Sequence, residues 1–145
     1  MPDSRASAQW EGNLVNGKGT VSSGSGVFGA LPVSWAARTE KANGNTTPEE
    51  LLAAAHASCY CMALSHELTQ GGHAPTRLNA SAVVTFGKVE SGWAVTTSKI
   101  SVRGVVPGID QAAFKEAATN ASKGCPVSRA LAGVQIVLES VELES

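Results

Sequence analysis

A helix start near the middle of the chain most constrains what the sequence can fold into. The segment Thr47–Glu50 supplies a hydroxyl at the N-cap, a proline at the first helical position and a glutamate at the third, which is a capping box. The apolar sequence that follows reaches about Gln70, where Gly71 and Gly72 can take the left-handed conformation that ends a helix. Roughly 22 residues at 1.5 Å each give a helix about 33 Å long. We expect it to be the central buried element.

The interior of this helix does not resemble a membrane span. Its most apolar window, residues 51–64, is interrupted by His56 and Cys59 and is bounded by charged residues, so it is too short and too polar to cross a bilayer. Asp3 and Arg5 lie where a secretory signal peptide needs an apolar core. We therefore expect no membrane partner and a cytoplasmic protein.

The segments around the helix predict strands and two further helices. Residues 8–35 indicate a meander of two or three strands, and residues 38–47 a loop. The later elements are a hairpin of Arg77 to Glu90 and Trp93 to Val106, a helix from Asp110 to about Lys123, a short helix from Pro126 to about Leu131, and a strand from Val134 to Leu143. The order βββ-α-ββ-α-α-β predicts an α+β fold with a mainly antiparallel sheet, and 145 residues suit one domain.

Composition excludes several classes of partner and site. Eleven Lys and Arg against twelve Asp and Glu, with no basic run, leave no electrostatic footprint for nucleic acid or an anionic membrane. Three cysteines are too few for a disulfide scaffold and odd in number, so at least one thiol is free or pairs outside the chain. Neither Cys-x-x-Cys nor His-x-x-x-His occurs, and we expect no metal.

The three thiols have different surroundings in the sequence. Cys59 lies within the long helix, where a cysteine is commonly a small apolar residue of the core rather than a reactive thiol. Cys61 is about 200° further round that helix, so the two cannot share a small site. Cys125 lies at the N-cap of a short helix, where backbone N–H groups and the helix dipole favour a thiolate. It also simply follows Gly124, which ends the preceding helix, and spacing alone leaves both interpretations open.

Two charged residues and one histidine complete the candidates. Arg38 follows an apolar stretch at a predicted strand end, from which it can reach over a pocket or merely contact solvent. Glu50 is expected to bond back to the N-cap backbone, which leaves Glu49 either directed elsewhere or as a solvated first-turn acid. His56 shares a helix face with Cys59, which raises a thiolate–imidazole pair or a metal site as alternatives.

Several short motifs taken together resemble the OsmC/Ohr family of thiol peroxidases. The resemblance covers nearly the whole chain, and the CPVSRAL and RTE segments are similar to the OsmC (osmotically inducible) branch. The motifs are Arg38, the TPEELL helix start at 47–52, HASC at 56–59 with MAL at 62–64, PGID at 107–110 and GCPVS at 124–128.

That resemblance implies a mechanism and an assembly. The family's peroxidatic cysteine falls on Cys59 and its resolving cysteine on Cys125, while Arg38 stabilises the thiolate and Glu49 orients Arg38. The implied fold is one OsmC-like domain over residues 1–145, in an intertwined homodimer with active sites at the subunit interface and no cofactor. The resemblance does not imply a redox role for Cys61.

The resemblance also implies the substrates. These are small-molecule hydroperoxides, organic ones in preference to hydrogen peroxide because the surroundings are apolar and alanine-rich, and a dithiol reductant such as a lipoylated protein. The chemistry is consistent with the residues, because Cys59 lies well past the first helical turn, gains little from the dipole and needs a cation.

Two alternative functions are a thiol sensor or binding protein without turnover and a metal-binding module of His56, Cys59 and Cys125.

Overall fold

The structure is a computed structural model that describes residues 1–144. The chain divides into two compact units, one of residues 1–51 and one that begins at residue 52. The expectation of one domain over residues 1–145 stays a prediction. No helix within residues 1–144 combines the length and the apolar character needed to cross a membrane.

The first unit begins with the predicted meander, which is confirmed. Strands β1 (Ala6–Glu11), β2 (Lys18–Ser23) and β3 (Leu31–Val33) pair antiparallel in the order β1-β2-β3. Gly19 on β2 lies opposite Trp10, and a Cβ at Gly19 would come within 2.6 Å of the indole ring. The ring therefore lies against β2 because residue 19 lacks a side chain.

A short helix follows where the sequence predicted a strand end. Helix α1 (Trp35–Thr39) begins after Ser34, whose Oγ accepts a hydrogen bond from the Ala37 amide at 3.1 Å. The prediction that Arg38 ends a strand is therefore wrong, because the Ser34 hydroxyl caps the chain into a helical turn. Arg38 lies in the last turn of α1, and the element order gains one helix, to βββ-α-α-ββ-α-α-β.

The long helix has the predicted limits. Helix α2 (Pro48–Gln70) begins with the Thr47 hydroxyl accepting from the Glu50 amide at 2.9 Å, and Gly72 beyond its end is left-handed with φ +84°. The predicted bond from Glu50 back to the N-cap backbone is wrong. The Glu50 carboxylate instead accepts a hydrogen bond from the Thr46 hydroxyl at 2.7 Å, so a side-chain donor before the helix takes the place of the backbone amide.

Besides most of α2, the second unit contains a mixed three-stranded sheet and two further helices. Strands β4 (Arg77–Val89) and β5 (Gly92–Val105) form the predicted antiparallel hairpin, and β6 (Gln135–Leu143) pairs with β5 in parallel. Helices α3 (Gln111–Gly124) and α4 (Pro126–Ala130) make the crossover that a parallel pair requires. The α+β fold with mainly antiparallel pairing is confirmed, with β5 and β6 as its parallel exception.

One face of α2 supplies much of the core of this unit. The core consists of Tyr60, Leu64 and Leu68 from α2, Ile100, Val102 and Val106 from β5 and its end, and Phe114, Ala118 and Ala121 from α3. The opposite face of α2 is exposed at Ala54, Ala55 and Ser58, and Met62 is 68% exposed. The expectation of a buried helix is therefore correct for the face that carries Tyr60, Leu64 and Leu68, and wrong for the opposite face.

Candidate active site

Two of the three cysteines meet in the second unit. Cys59 on α2 and Cys125 between α3 and α4 are 66 residues apart in sequence, and their Sγ atoms lie 3.1 Å apart. A disulfide bond is about 2.05 Å long, so these are two reduced thiols in contact. Cys125 is fully buried, whereas Cys59 is partly exposed.

A tight junction between two helices positions Cys125. Its amide donates to the Ala121 carbonyl at 2.9 Å, which closes α3, and its carbonyl accepts from the Arg129 amide at 3.1 Å, which opens α4. Pro126 occupies the first position of α4, where its missing N–H is not needed. The predicted N-cap placement of Cys125 is confirmed, and both neighbouring helices hold its backbone.

The surroundings of the pair act on the two thiols in opposite directions. Burial raises the pKa of Cys59, and its hydrogen bond with Cys125 raises it further. Burial also raises the pKa of Cys125, but the hydrogen bond with Cys59 and the N–H and O–H groups of Ser128 and Val127 outweigh it, so that this pKa is lowered. In the reduced pair, Cys125 is therefore the sulfur that more readily carries negative charge.

A hollow of about 400 Å³ opens beside Cys59. Its lining within the second unit is largely apolar, with polar groups contributed by His66 and Glu67 on exposed positions of α2. The lining includes Cys59, Met62 and Ala63 from α2, Ala121 and Gly124 from α3, and Pro126 from α4. The hollow gives a small apolar molecule a route to the Cys59 sulfur.

The first unit brings Arg38 and Glu49 together. The guanidinium donates from Nε to Oε2 at 3.2 Å and from Nη2 to Oε1 at 2.5 Å, and it lies over the Trp35 ring with Cζ 5.9 Å from the ring centroid. Glu49 is only 6% exposed, so the interpretation of Glu49 as a solvated first-turn acid is wrong. Two parallel hydrogen bonds hold the planar guanidinium in one orientation.

His56 has partners that the sequence did not indicate. It is fully buried, with Nδ1 2.7 Å from Ser98 Oγ and Nε2 2.8 Å from Ser128 Oγ. Burial lowers the pKa of His56, so the imidazole is neutral at physiological pH. Both ring nitrogens are thus engaged by hydroxyls, and the structure does not form the imidazole–thiolate pair with Cys59 that the shared helix face suggested.

A local signal for these serines was present but weak. Ser98 occupies an inward position on β5, in alternation with Ile100 and Val102, and Ser128 lies three residues after Cys125. Sequence spacing alone does not join residues that are 42 and 72 positions from His56. Among residues 1–144, no group of three or more His, Cys, Asp or Glu side chains is arranged to hold a metal ion.

Cys61 is directed to a different part of the second unit. Its thiol is half-buried and interacts with the backbone of Ala80 on β4, and burial raises its pKa. As expected from the rotation along the helix, it does not share the contact between Cys59 and Cys125.

Comparison with known proteins gives consistent results. A family model described as OsmC-like protein matches residues 41–139. The chain is 43% identical over 127 residues to "Peroxiredoxin OsmC" of Escherichia coli strain K12, which covers 88% of each protein.

Solved structures of similar fold cover almost the whole chain. The organic hydroperoxide resistance protein OhrB of Bacillus subtilis is 24% identical with a TM-score of 0.73, and 97% of this chain and 98% of that one are covered. An organic hydroperoxide resistance protein from Elizabethkingia anophelis is 23% identical with a TM-score of 0.76, and 97% and 96% of the two chains are covered. At these identities the likeness shows the fold.

Proposed function

The chain belongs to the OsmC-like protein family, and on that premise we propose that it is a cysteine-based peroxidase that reduces organic hydroperoxides. The observation that supports this most directly is the contact of the Cys59 and Cys125 thiols at 3.1 Å. The names of its relatives, a peroxiredoxin and two organic hydroperoxide resistance proteins, point to the same chemistry. Three free thiols fit a reducing compartment, and we assign the protein to the cytoplasm.

The proposed cycle has three steps. The Cys59 thiolate attacks the O–O bond of the hydroperoxide, takes one oxygen as a sulfenic acid and releases the alcohol. Cys125 then attacks the sulfenic sulfur, so that an S–S bond forms, the S–O bond breaks and water is released. An external dithiol, such as a lipoyl group, reduces this disulfide by thiol–disulfide exchange and restores both thiols.

The geometry of the pair favours the second step. The sulfurs are 3.1 Å apart and a disulfide is about 2.05 Å long, so the reaction closes only about 1 Å. The thiols meet without unfolding of α2, α3 or α4. A sulfenic acid at Cys59 is therefore trapped by Cys125 before a second peroxide reaches it.

The first step needs a cation, because burial and the hydrogen bond with Cys125 raise the pKa of Cys59. We assign this role to Arg38, with Glu49 fixing its orientation through two hydrogen bonds. We further propose that the protein is an intertwined homodimer with its active sites at the subunit interface. The exposed face of α2, where Met62 is 68% exposed, supports this assembly because such a surface is unusual in the middle of a monomer's long helix.

Replacing Glu49 by glutamine tests the role of the ion pair. We expect Glu49→Gln to lower kcat/KM for the hydroperoxide about tenfold, because the amide keeps the shape of the side chain but loses the charge that orients Arg38. The matched control is Glu50→Gln, since Glu50 is the next residue and bonds the Thr46 hydroxyl. Equal kcat/KM values in the two variants would contradict the assigned role of Glu49.

The substrate class is tested by comparing cumene hydroperoxide with hydrogen peroxide, using a lipoyl dithiol and then thioredoxin as reductant. We expect kcat/KM to favour the organic peroxide by about tenfold or more, because each CH₂ group buried in the hollow beside Cys59 contributes about 0.8 kcal/mol. Equal kcat/KM values for the two peroxides would contradict the proposed preference for organic hydroperoxides. Consumption that stops after one equivalent in excess dithiothreitol would instead indicate a sensor without turnover.

A further inference from the structure

His56 of α2 is fully buried and has no role in the proposed cycle. His56 and Ser98 are fully buried and Ser128 is 5% exposed, so three polar side chains lie in the interior of the second unit. Burying polar groups costs free energy unless they are hydrogen-bonded, and these three form a continuous chain at 2.7 and 2.8 Å. The chain ends at Cys125, because Cys125 is the N-cap of α4, Ser128 lies in the first turn of the same helix, and the Ser128 side chain interacts with the Cys125 sulfur.

The direction of the hydrogen bonds in this chain follows from the partners of Ser98. A neutral imidazole has one N–H donor and one acceptor nitrogen. The Ser98 Oγ lies 2.7 Å from Nδ1. Because a buried hydroxyl proton needs an acceptor, we assign the Ser98 proton to the hydrogen bond with Nδ1. Nδ1 therefore accepts, and Nε2 carries the proton and donates it to Ser128 Oγ. The Ser128 proton is then directed away from His56.

We propose that His56 is a positioning residue that holds the Ser128 hydroxyl as a hydrogen-bond donor to the Cys125 sulfur, so that Cys125 attacks the Cys59 sulfenic acid as a thiolate. The inference rests on the proposed peroxidase function and deepens it. Ser98 fixes the tautomer of His56, and His56 fixes the orientation of Ser128. None of these three side chains contacts the peroxide in this scheme.

The step that this arrangement assists is balanced. The Cys125 thiolate donates an electron pair to the sulfenic sulfur of Cys59, the S–S bond forms and hydroxide leaves, taking a proton from solvent to become water. The Cys125 sulfur is oxidised and the Cys59 sulfur is reduced. Ser128 returns to its starting state because it only donates a hydrogen bond.

Two titratable groups of α2 interact with the Cys125 sulfur. The Cys59 thiol contacts its sulfur, and the Tyr60 phenol is influenced by a thiolate at Cys125, while its O–H donates to the Ala118 carbonyl at 2.9 Å. Burial and the neighbouring cysteines raise the pKa of Tyr60, so the phenol stays neutral. Tyr60 therefore adds no charge that competes with the chain from His56.

The tautomer of His56 provides the first test. In reduced protein labelled with ¹⁵N-histidine, the two ring nitrogens of neutral His56 have different chemical shifts according to which one carries the proton. We expect the proton on Nε2. A proton on Nδ1 would overturn the proposal, because Ser128 would then donate to His56 rather than to Cys125.

The second test measures the pKa of Cys125 from its ultraviolet thiolate absorbance, in a Cys59→Ser, Cys61→Ser background that leaves Cys125 as the remaining thiol. We expect Ser128→Ala to raise it by about one unit, a tenfold shift of the thiol equilibrium, and His56→Leu to raise it by less. His56→Gln keeps an N–H donor near the Nε2 position and is expected to restore the parent value. Ser122→Ala is the control, because that hydroxyl bonds the Thr119 carbonyl of α3.

The variants separate the inference from the function on which it rests. An unchanged Cys125 pKa in Ser128→Ala would overturn the inference. An unchanged or lowered Cys125 pKa in His56→Leu would also overturn it. If His56 accepted the Ser128 proton, removing His56 would free that proton for Cys125 and lower the Cys125 pKa. Ser98→Ala, a milder change, is expected to raise the pKa in the same direction if His56→Leu fails to fold. Neither readout uses peroxide, so loss of the peroxidase proposal would appear separately, as full activity in a Cys59→Ser variant.

Discussion

Peroxide consumption is expected to fall by at least about a thousandfold when Cys59 is replaced by serine. The serine hydroxyl is nearly isosteric with the thiol, but it is neither ionised near neutral pH nor able to accept oxygen as a stable sulfenic acid. The measurement is steady-state consumption of cumene hydroperoxide with excess dithiol. Activity close to the parent value would refute Cys59 as the peroxidatic residue and the proposed function with it.

The chain offers a matched control for this variant. Cys61 lies two residues further along α2 and interacts with the backbone of Ala80, so Cys61→Ser removes a thiol from the same helix but not from the pair. We expect Cys61→Ser to retain the parent rate. Loss of activity in both variants would show that the assay responds to disturbance of α2 rather than to the nucleophile.

Replacing Cys125 by serine is expected to change the products of the reaction. The first equivalent of peroxide still forms the sulfenic acid on Cys59, but no thiol lies 3.1 Å away to condense with it. Further peroxide then converts it to the sulfinic and sulfonic acids, which ordinary dithiols do not reduce. Turnover with a lipoyl dithiol should fall by about a hundredfold, because each enzyme molecule is inactivated within a few cycles.

Mass spectrometry of the peroxide-treated protein checks this directly. The Cys125→Ser protein should carry two or three added oxygen atoms on the peptide containing Cys59, whereas the parent should contain a linkage between Cys59 and Cys125. Absence of the over-oxidised forms would count against Cys125 as the resolving residue. The Cys61→Ser control should still form the linkage.

Local signals predicted the elements whose ends are set by neighbouring residues. The limits of α2 were predictable because the Thr47 hydroxyl and Gly72 act within one turn of the helix. A side-chain cap also begins α1, but this helix was not predicted. One cap at Ser34 followed by only five helical residues is weak evidence for a helix within a β-prone stretch. The parallel pairing of β6 depends on the crossover by α3 and α4, which is a property of the whole second unit.

The candidate site was predictable to a smaller extent. Spacing alone left Cys125 open between a reactive thiol and a residue after a helix end, and only the family resemblance paired it with Cys59. The ion pair of Arg38 with Glu49 likewise came from the resemblance, and the structure gives it a geometry. Ser98 and Ser128 were missed because their role exists only where β5, α2 and α4 meet.

The junction between α3 and α4 sets a limit on how this sequence can vary. The Cys125 backbone is hydrogen-bonded to Ala121 on one side and to Arg129 on the other. The chain therefore cannot be lengthened on either side of Cys125 without disturbing one of these bonds. One inserted residue in α3 would rotate the side chain by about 100° and carry the sulfur away from Cys59. Substitutions at the exposed neighbours Lys123 and Gly124 leave that bonding intact. Among homologous sequences, this segment should therefore vary in residue type while its length stays constant.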